Sequence, residues 1–241
     1  MKAFGIDVSA YNGKVDWQKA KERNVSFAGM RATISWGYRD KWLPANLLGS
    51  ADVGIYRMPY HVIYPKEAIM RQVDNFLLSV SDWVMPYPVV DAELDHGAGI
   101  NQITDSLISF NDNVQARIGK RPIIYSRAEW INNFTLFGAW RSKENWWLAQ
   151  YNNDRTTERL LPPDLPKGVI THLCHQNADK YPAFCNGPDG IKTIDINRWN
   201  GTEAEMIQFF IGSAKPPTPT RTWPEEADAF LRTLGYTGRR P

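Results

Sequence analysis

The segment Pro88-Val89-Val90-Asp91-Ala92-Glu93-Leu94-Asp95 runs apolar residues straight into two carboxylates spaced two apart. In a β-strand, side chains at i and i+2 point to the same face. Asp91 and Glu93 therefore sit side by side where a buried strand runs out, and Val90, Ala92 and Leu94 face the other way. Two close carboxylates repel, and partial burial disfavours their charged forms, so one can hold a proton near neutral pH. A general acid needs that property, and glycoside hydrolysis usually uses a pair of such groups.

Two further acids share the pattern. Asp7 is flanked by Ile6 and Val8, and Asp195 by Ile194 and Ile196. In each case the apolar neighbours can pack against outer helices while the acid takes the opposite face. Placed at the C-terminal ends of three strands of one barrel, Asp7, Asp91, Glu93 and Asp195 converge on its mouth, where active sites of such barrels lie. Burying several like charges together is costly unless they are partnered or used.

Other chemistry-bearing residues are weaker signals. His172 and His175 flank Cys174, but on a strand residues i and i+3 point to opposite faces, so no shared metal ion is expected. No dinucleotide-binding, Walker or zinc-finger spacing is present, and no cofactor or metal is expected. Arg31 and Arg57 lie mid-strand, where a buried guanidinium would balance several carboxylates. His96 follows the acid pair, either against substrate or as a solvated loop residue.

The elements that must position these residues alternate. Candidate strands are Ala3–Val8, Phe27–Ile34, Gly54–Tyr60, Tyr87–Leu94, Arg121–Ser126, Trp146–Tyr151, Val169–Gln176 and Lys192–Ile196. Candidate helices are Asp16–Arg23, Leu43–Ala51, Lys66–Val80, Ile103–Ile118, Arg127–Phe134 and Glu203–Phe210. Ser126 to Glu129 and Thr202 to Glu205 both fit the capping box. Such alternation argues for a parallel α/β sheet, and eight strands for its closure. The last three strands lie too close together for full crossover helices. The expectation is an irregular TIM-like (β/α) barrel of five βα units followed by three strands.

The chain has 241 residues, 43% of them hydrophobic and 12% aromatic, enough for a sizeable core. Its formal net charge of +2 offers no basic block for nucleic acid. Nothing approaches the ~18 consecutive apolar residues of a membrane span. Met1-Lys2-Ala3-Phe4 leads directly into the first strand with no apolar leader. Cys174 and Cys185 either close one bridge or stay as two free thiols. The expected organisation is a barrel over 1–212, a proline-rich linker over 213–222, and a short helical tail over 223–241. The tail's Ala227, Phe230, Leu231 and Leu234 share a face, which either docks on the barrel or binds a partner or a second copy.

Several motifs occur in an informative order. These are Gly5-Ile6-Asp7-Val8-Ser9 with Tyr11-Asn12-Gly13, Gly54-Ile55-Tyr56-Arg57-Met58-Pro59-Tyr60, Val90-Asp91-Ala92-Glu93, Ile123-Ile124-Tyr125-Ser126, Trp147-Leu148-Ala149-Gln150-Tyr151, and Ile194-Asp195-Ile196-Asn197-Arg198-Trp199-Asn200-Gly201. Together, over residues 3–212, they resemble the signature of family 25 glycoside hydrolases, the Chalaropsis-type lysozymes of phages, bacteria and fungi. The resemblance implies an N-acetylmuramidase acting on bacterial peptidoglycan at the β-1,4 bond after N-acetylmuramic acid. It implies Glu93 as general acid and Asp91 as nucleophile or as the group that orients the substrate's acetamido arm. Asp7 and Asp195 match the family's two further acids, which orient the pair and tune its charge.

Tyr60, Trp147, Tyr151 and Gln176 are the candidate substrate contacts, with Trp147 and Tyr151 facing inward and Trp146 packed outside. The chain departs from the family in its seventh strand, where Cys174-His175-Gln176-Asn177 stands in place of Trp-Gln-Tyr. The competing readings are a non-catalytic cell-wall glycan-binding module and a polysaccharide deacetylase. The missing leader implies a phage lysin held in the host bacterial cytoplasm until release, or a part of a phage particle.

Overall fold

A computed structural model of the chain describes residues 2–81, 83, 87–151, 161–182, 185–186 and 193–212. The linker and tail expected over 213–241 lie outside the described residues. In chain order the elements are β1 (Lys2–Val8), β2 (Lys14–Val15), α1 (Trp17–Glu22), β3 (Val25–Ile34), β4 (Tyr38–Arg39), α2 (Leu43–Asp52), β5 (Tyr56–Val62), α3 (Ile69–Val80), β6 (Val89–Asp91), α4 (Ile100–Ile118), β7 (Ile123–Ser126), α5 (Ala128–Phe134), β8 (Asn145–Ala149), β9 (Cys174–Pro182), β10 (Cys185–Asn186), β11 (Thr193–Thr202) and α6 (Glu203–Gly212).

The main sheet runs β1-β11-β9-β8-β7-β6-β5-β3 and closes through β3 on β1, giving an eight-stranded barrel. β4 is a hairpin return on β3, and β2 and β10 form a separate pair. Five βα units precede three strands, between which no crossover helix occurs among the described residues. One expectation fails. β11 runs antiparallel to both β1 and β9, so Asp195 stands near the start of its strand rather than at its C-terminal end. The reversal still delivers it to the same mouth, because Asp195 is the register partner of Asp7.

Alternation along the strands separates two cores. The outer one, between sheet and helices, holds Ile6, Val8, Val90, Ala92, Ile124, Trp146, Leu148, Ile194 and Ile196 with Phe76 and Phe110 of the helices. The inner one holds Phe27, Met58, Val89, Ile123, Trp147, Cys174 and Trp199. α6 plugs the end of the barrel opposite the acids, where Phe210 stacks on Tyr56 at 5.3 Å and meets Trp199 at 5.5 Å. Tyr87 joins this aromatic packing, edge to face with Phe210 at 5.6 Å.

Boundaries shifted where packing overrode pattern. β6 ends at Asp91, so Glu93 and Leu94 lie beyond the ladder and Leu94 is exposed. β9 starts five residues later than Val169, which instead closes a turn onto Pro166. Ser126 does not cap α5, because its hydroxyl donates to the Ala92 carbonyl at 2.6 Å. The second capping box forms, with Thr202 N donating to Glu205 Oε2 at 2.7 Å and Glu205 N to Thr202 Oγ1 at 3.2 Å. Cys174 and Cys185 are both buried, lie on different sheets and are not joined in a disulfide.

Candidate active site

The mouth is a cavity of about 140 Å³ whose lining includes Asp7, Asp91, Glu93 and Asp195 together with Tyr60, Tyr125, Trp147 and Gln176. β1 brings Asp7, β6 and the loop after it bring Asp91 and Glu93, and β11 brings Asp195. Ala92 N donates to the Tyr125 carbonyl at 2.9 Å. That bond holds the backbone between Asp91 and Glu93 against β7 after the ladder proper has ended. Space for the cluster comes from Gly29 on β3. A Cβ there would lie 2.6 Å from the Trp147 ring and 2.9 Å from the Asp7 Cβ, so any side chain would displace both.

Asp7 is held by amides. Gln176 Nε2 and Asn197 Nδ2 each donate to Asp7 Oδ2 at 2.8 Å. Their carbonyl ends are anchored in turn. Trp147 Nε1 donates to Asn197 Oδ1 at 2.8 Å, and the hydroxyls of Tyr125 and Tyr151 donate to Gln176 Oε1 at 2.8 and 2.9 Å. The amides thus present fixed positive ends to Asp7, and an aromatic frame fixes the amides. Burial raises the Asp7 carboxyl above its ordinary range, against the opposing pull of Asn197 and then Gln176.

The pair itself is unequal. Asp91 Oδ1 is buried with no hydrogen-bond partner among the described residues. Burial, then repulsion from Glu93 and Asp7, push the Asp91 carboxyl well above its usual range, and Arg31 opposes them. Glu93 is raised mainly by burial, pulled back by Arg127 and raised again by Asp7. Its Oε2 lies 3.6 Å from Arg127 Nη2 at the rim. Burial carries Asp195 up to about 8, helped by Asp7, Asp179 and Glu93. At neutral pH this mouth shares protons among its four acids instead of carrying four full charges.

The remaining expected contacts are distributed as follows. Trp147 is buried in the inner core and forms part of the cavity floor, and Trp146 packs outside. Tyr60 lines the cavity, its hydroxyl pushed well up by burial and by Asp7 and Asp91. Tyr151 stands at the rim, 42% exposed. Gln176 lies in the cavity wall with its amide engaged by Asp7 and two tyrosines. Arg31 reaches the mouth side, its Nε 2.9 Å from the buried Asp40 carboxylate, and Arg57 lies toward the other end beside Lys120. His96 stacks on Tyr64 at 3.7 Å. His172 and His175 stand edge to face at 6.4 Å, with His175 Nε2 against the Gln150 carbonyl at 2.8 Å.

Sequence reasoning gave no role to Asn197 or Arg127. Asn197 was findable, since it is two residues after Asp195 and so shares its face. Arg127 follows a strand end with no periodic signal, and only the tertiary fold brings it to Glu93.

Comparisons with known proteins bear on this arrangement. A sequence model described as glycosyl hydrolases family 25 matches residues 6–180. Lysozyme M1 of Streptomyces globisporus is 26% identical over 217 residues, which cover 84% of this chain and 69% of that protein. The N,O-diacetylmuramidase of Arthroderma benhamiae is 22% identical over 197 residues, covering 73% of this chain and 77% of that protein. The solved bacterial lysozyme of Streptomyces coelicolor matches with a TM-score of 0.76 at 26% identity, over 89% of this chain and 99% of that one.

Proposed function

Because the chain belongs to glycosyl hydrolase family 25, we propose that it is an N-acetylmuramidase that cuts the β-1,4 bond after N-acetylmuramic acid in bacterial peptidoglycan. Glu93 is the general acid. Burial raises its pKa while the rim leaves its carboxyl within reach of an incoming glycosidic oxygen. Asp7 adds negative potential that raises both central carboxyls and that a cationic transition state would meet.

The observation that carries this reading is the inequality of the two central acids. Asp91 has a buried oxygen with no partner, a group the fold leaves for something else to satisfy. An acetamido N–H of the bound sugar suits it. That unpartnered acceptor favours orientation of the acetamido arm over direct attack. In that scheme the acetamido oxygen bonds to the anomeric carbon as the glycosidic C–O bond breaks, and the Glu93 proton goes to the leaving oxygen. Water then opens the cyclic intermediate, its proton returning to Glu93. This is the substrate-assisted variant of glycoside hydrolysis.

Mass spectrometry of digested peptidoglycan tests the bond assignment. Reducing-end muramic acid is expected, and reducing-end glucosamine overturns it. Glu93→Gln should clear purified walls at least ~100-fold more slowly than the unmodified chain, in line with the usual worth of a positioned acid. Equal clearing would remove Glu93 from the role.

A further inference from the structure

Beside the acid mouth lies a second groove of about 320 Å³, lined by Arg127, Glu129, Ala149, Gln150, Tyr151 and Asp164. Two contacts join it to the mouth, the Arg127–Glu93 pair and the bond from Tyr151 to Gln176. Its polar groups are not equivalent. Asp164 is tied down, its backbone N–H donating to Gln150 Oε1 at 2.5 Å and its Oδ2 accepting from Gln150 Nε2 at 3.2 Å. Glu129 is exposed at the opposite edge. Arg127 is 61% exposed in its side chain and contacts Glu93 at 3.6 Å, too long for a hydrogen bond. An exposed ion pair with that geometry costs little to break. A guanidinium that can leave its partner cheaply and swing into an adjoining groove suits a ligand carboxylate, which it can bind with two parallel N–H bonds.

We propose that Arg127 is a specificity-determining residue that binds a carboxylate on the side arm of the muramyl unit and leaves Glu93 to do so. This rests on the muramidase reading above. Two carboxylates on that arm have the right chemistry, the free lactyl acid of peptide-free glycan and the carboxylates of the peptide stem. The groove's mixed lining among the described residues, Arg127 with Glu129 and Asp164, matches a stem that carries acids and an amine better than a neutral sugar. Departure of Arg127 also removes the cation that pairs with Glu93 among the described residues. The other charged or titratable groups acting on Glu93 or feeling it are Asp7, Asp91, Asp195, Tyr125 and Tyr151. Each of these disfavours a negative Glu93 or is disfavoured by it. Substrate binding would then free the acid to hold its proton.

The test compares the full chain with Arg127→Gln and Arg127→Lys on three glycans. These are strands bearing peptide stems, strands stripped to the free lactyl acid, and stripped strands converted to the neutral lactyl amide. Arg127→Gln should lose roughly tenfold more kcat/KM on a carboxylate-bearing glycan than on the neutral amide, the scale of one charge-assisted contact. Loss on the stem-bearing glycan alone identifies the stem, and loss on the free lactyl acid alone identifies the lactyl group. Arg127→Lys should recover part of the loss. The alkaline limb of kcat/KM, which reports free enzyme, should move up in Arg127→Gln, while the limb of kcat on the preferred glycan stays near the unmodified chain's. Equal loss on all three glycans, or equal movement of both limbs, overturns the proposal while the muramidase reading stands. If the unmodified chain releases no reducing-end muramic acid from any of them, the muramidase reading falls and this proposal with it.

Discussion

Replacing Asp195 with Asn should stabilise the protein, and by an amount that depends on pH. The Asp195 carboxyl titrates at about 8 in the fold, against 3.8 for an unhindered aspartate. Between those values the folded state binds the proton more tightly than the unfolded chain does. Stability from this group is therefore fully present below about pH 4 and is lost as pH rises through 8. At pH 7 the gap spans about three pH units, or about 4 kcal/mol at 1.36 kcal/mol per unit. The cavity opens to water, and neighbouring acids share the cost, so a gain of roughly 2–4 kcal/mol is the working figure. For a domain of this size that is roughly 5–12 °C in Tm.

The assay is urea and thermal unfolding of the two proteins at a series of pH values from 4 to 8. The curves should meet near pH 4 and separate steadily toward pH 8, with the variant more stable. Titrating groups that do not interact with Asp195 affect both proteins alike and cancel in the difference, leaving Asp195 and its coupling to Asp7, Asp179 and Glu93. A difference that is flat with pH, or a variant that is less stable at pH 7, would refute the account of Asp195 as a group confined against its own charge. Activity should change little at pH 7, because a carboxyl titrating at about 8 is already mostly neutral there, and should diverge from that of the unmodified chain as pH rises through 8.

Three further outcomes follow from the same structure. His61 is buried between Thr33 Oγ1 at 2.7 Å and Gln72 Oε1 at 3.0 Å and titrates at about 4 rather than 6.5. Its neutral form contributes stability that is complete above about 6.5 and lost as pH falls through 4, up to about 3 kcal/mol, a slope that His61→Gln should abolish in the same unfolding series. Gly29→Ala drives a Cβ against the Trp147 ring and Asp7, so about 1–3 kcal/mol of stability should be lost by urea unfolding, with activity falling as the Asp7 position shifts. Asn197→Leu removes a donor from Asp7 and strands the buried Trp147 N–H, which should cost about 2–4 kcal/mol and lower kcat more than it changes KM.

The facing of the acids was legible because apolar residues alternate with them. Ile6 and Val8, then Ile194 and Ile196, are all buried in the outer core, and their acids line the inside. The direction of β11 was not read, although a signal for it exists. Only residues 183–192 separate Pro182 from Thr193, fewer than the dozen or more that a parallel return requires. Ending the preceding strand at Gln176 hid this, because Asn177, Asp179 and Lys180 look like loop residues. The strand continues past them because β11 pairs with Ala178, Tyr181 and Pro182, and local composition says nothing of that partner strand. The same limit explains Ser126. Its spacing to Glu129 is that of a cap, yet a neighbouring strand end offers the Ala92 carbonyl and takes the hydroxyl.

The way the acids are held matters more than their number. A buried carboxylate can be satisfied by a cation, which neutralises it, or by neutral dipoles, which fix its position and leave its charge in place. Here the cation that reaches the inner acids is Arg31, and its charge is already engaged. Its Nε binds Asp40, which also accepts backbone N–H bonds from Ala10 and Trp42 at 2.9 Å. Asp7 is held by the amides of Gln176 and Asn197, and those amides cannot rotate away because Trp147, Tyr125 and Tyr151 occupy their other ends. The mouth therefore keeps a negative potential whose sources are locked before any substrate arrives. Positive charge that develops on a sugar ring would meet that field without reorganisation of the protein, the condition under which electrostatic stabilisation of a transition state is largest. It also accounts for the orphaned oxygen of Asp91. A protein donor there would have spent the interaction in the ground state, whereas a donor on the substrate makes it only when a reacting sugar is in place.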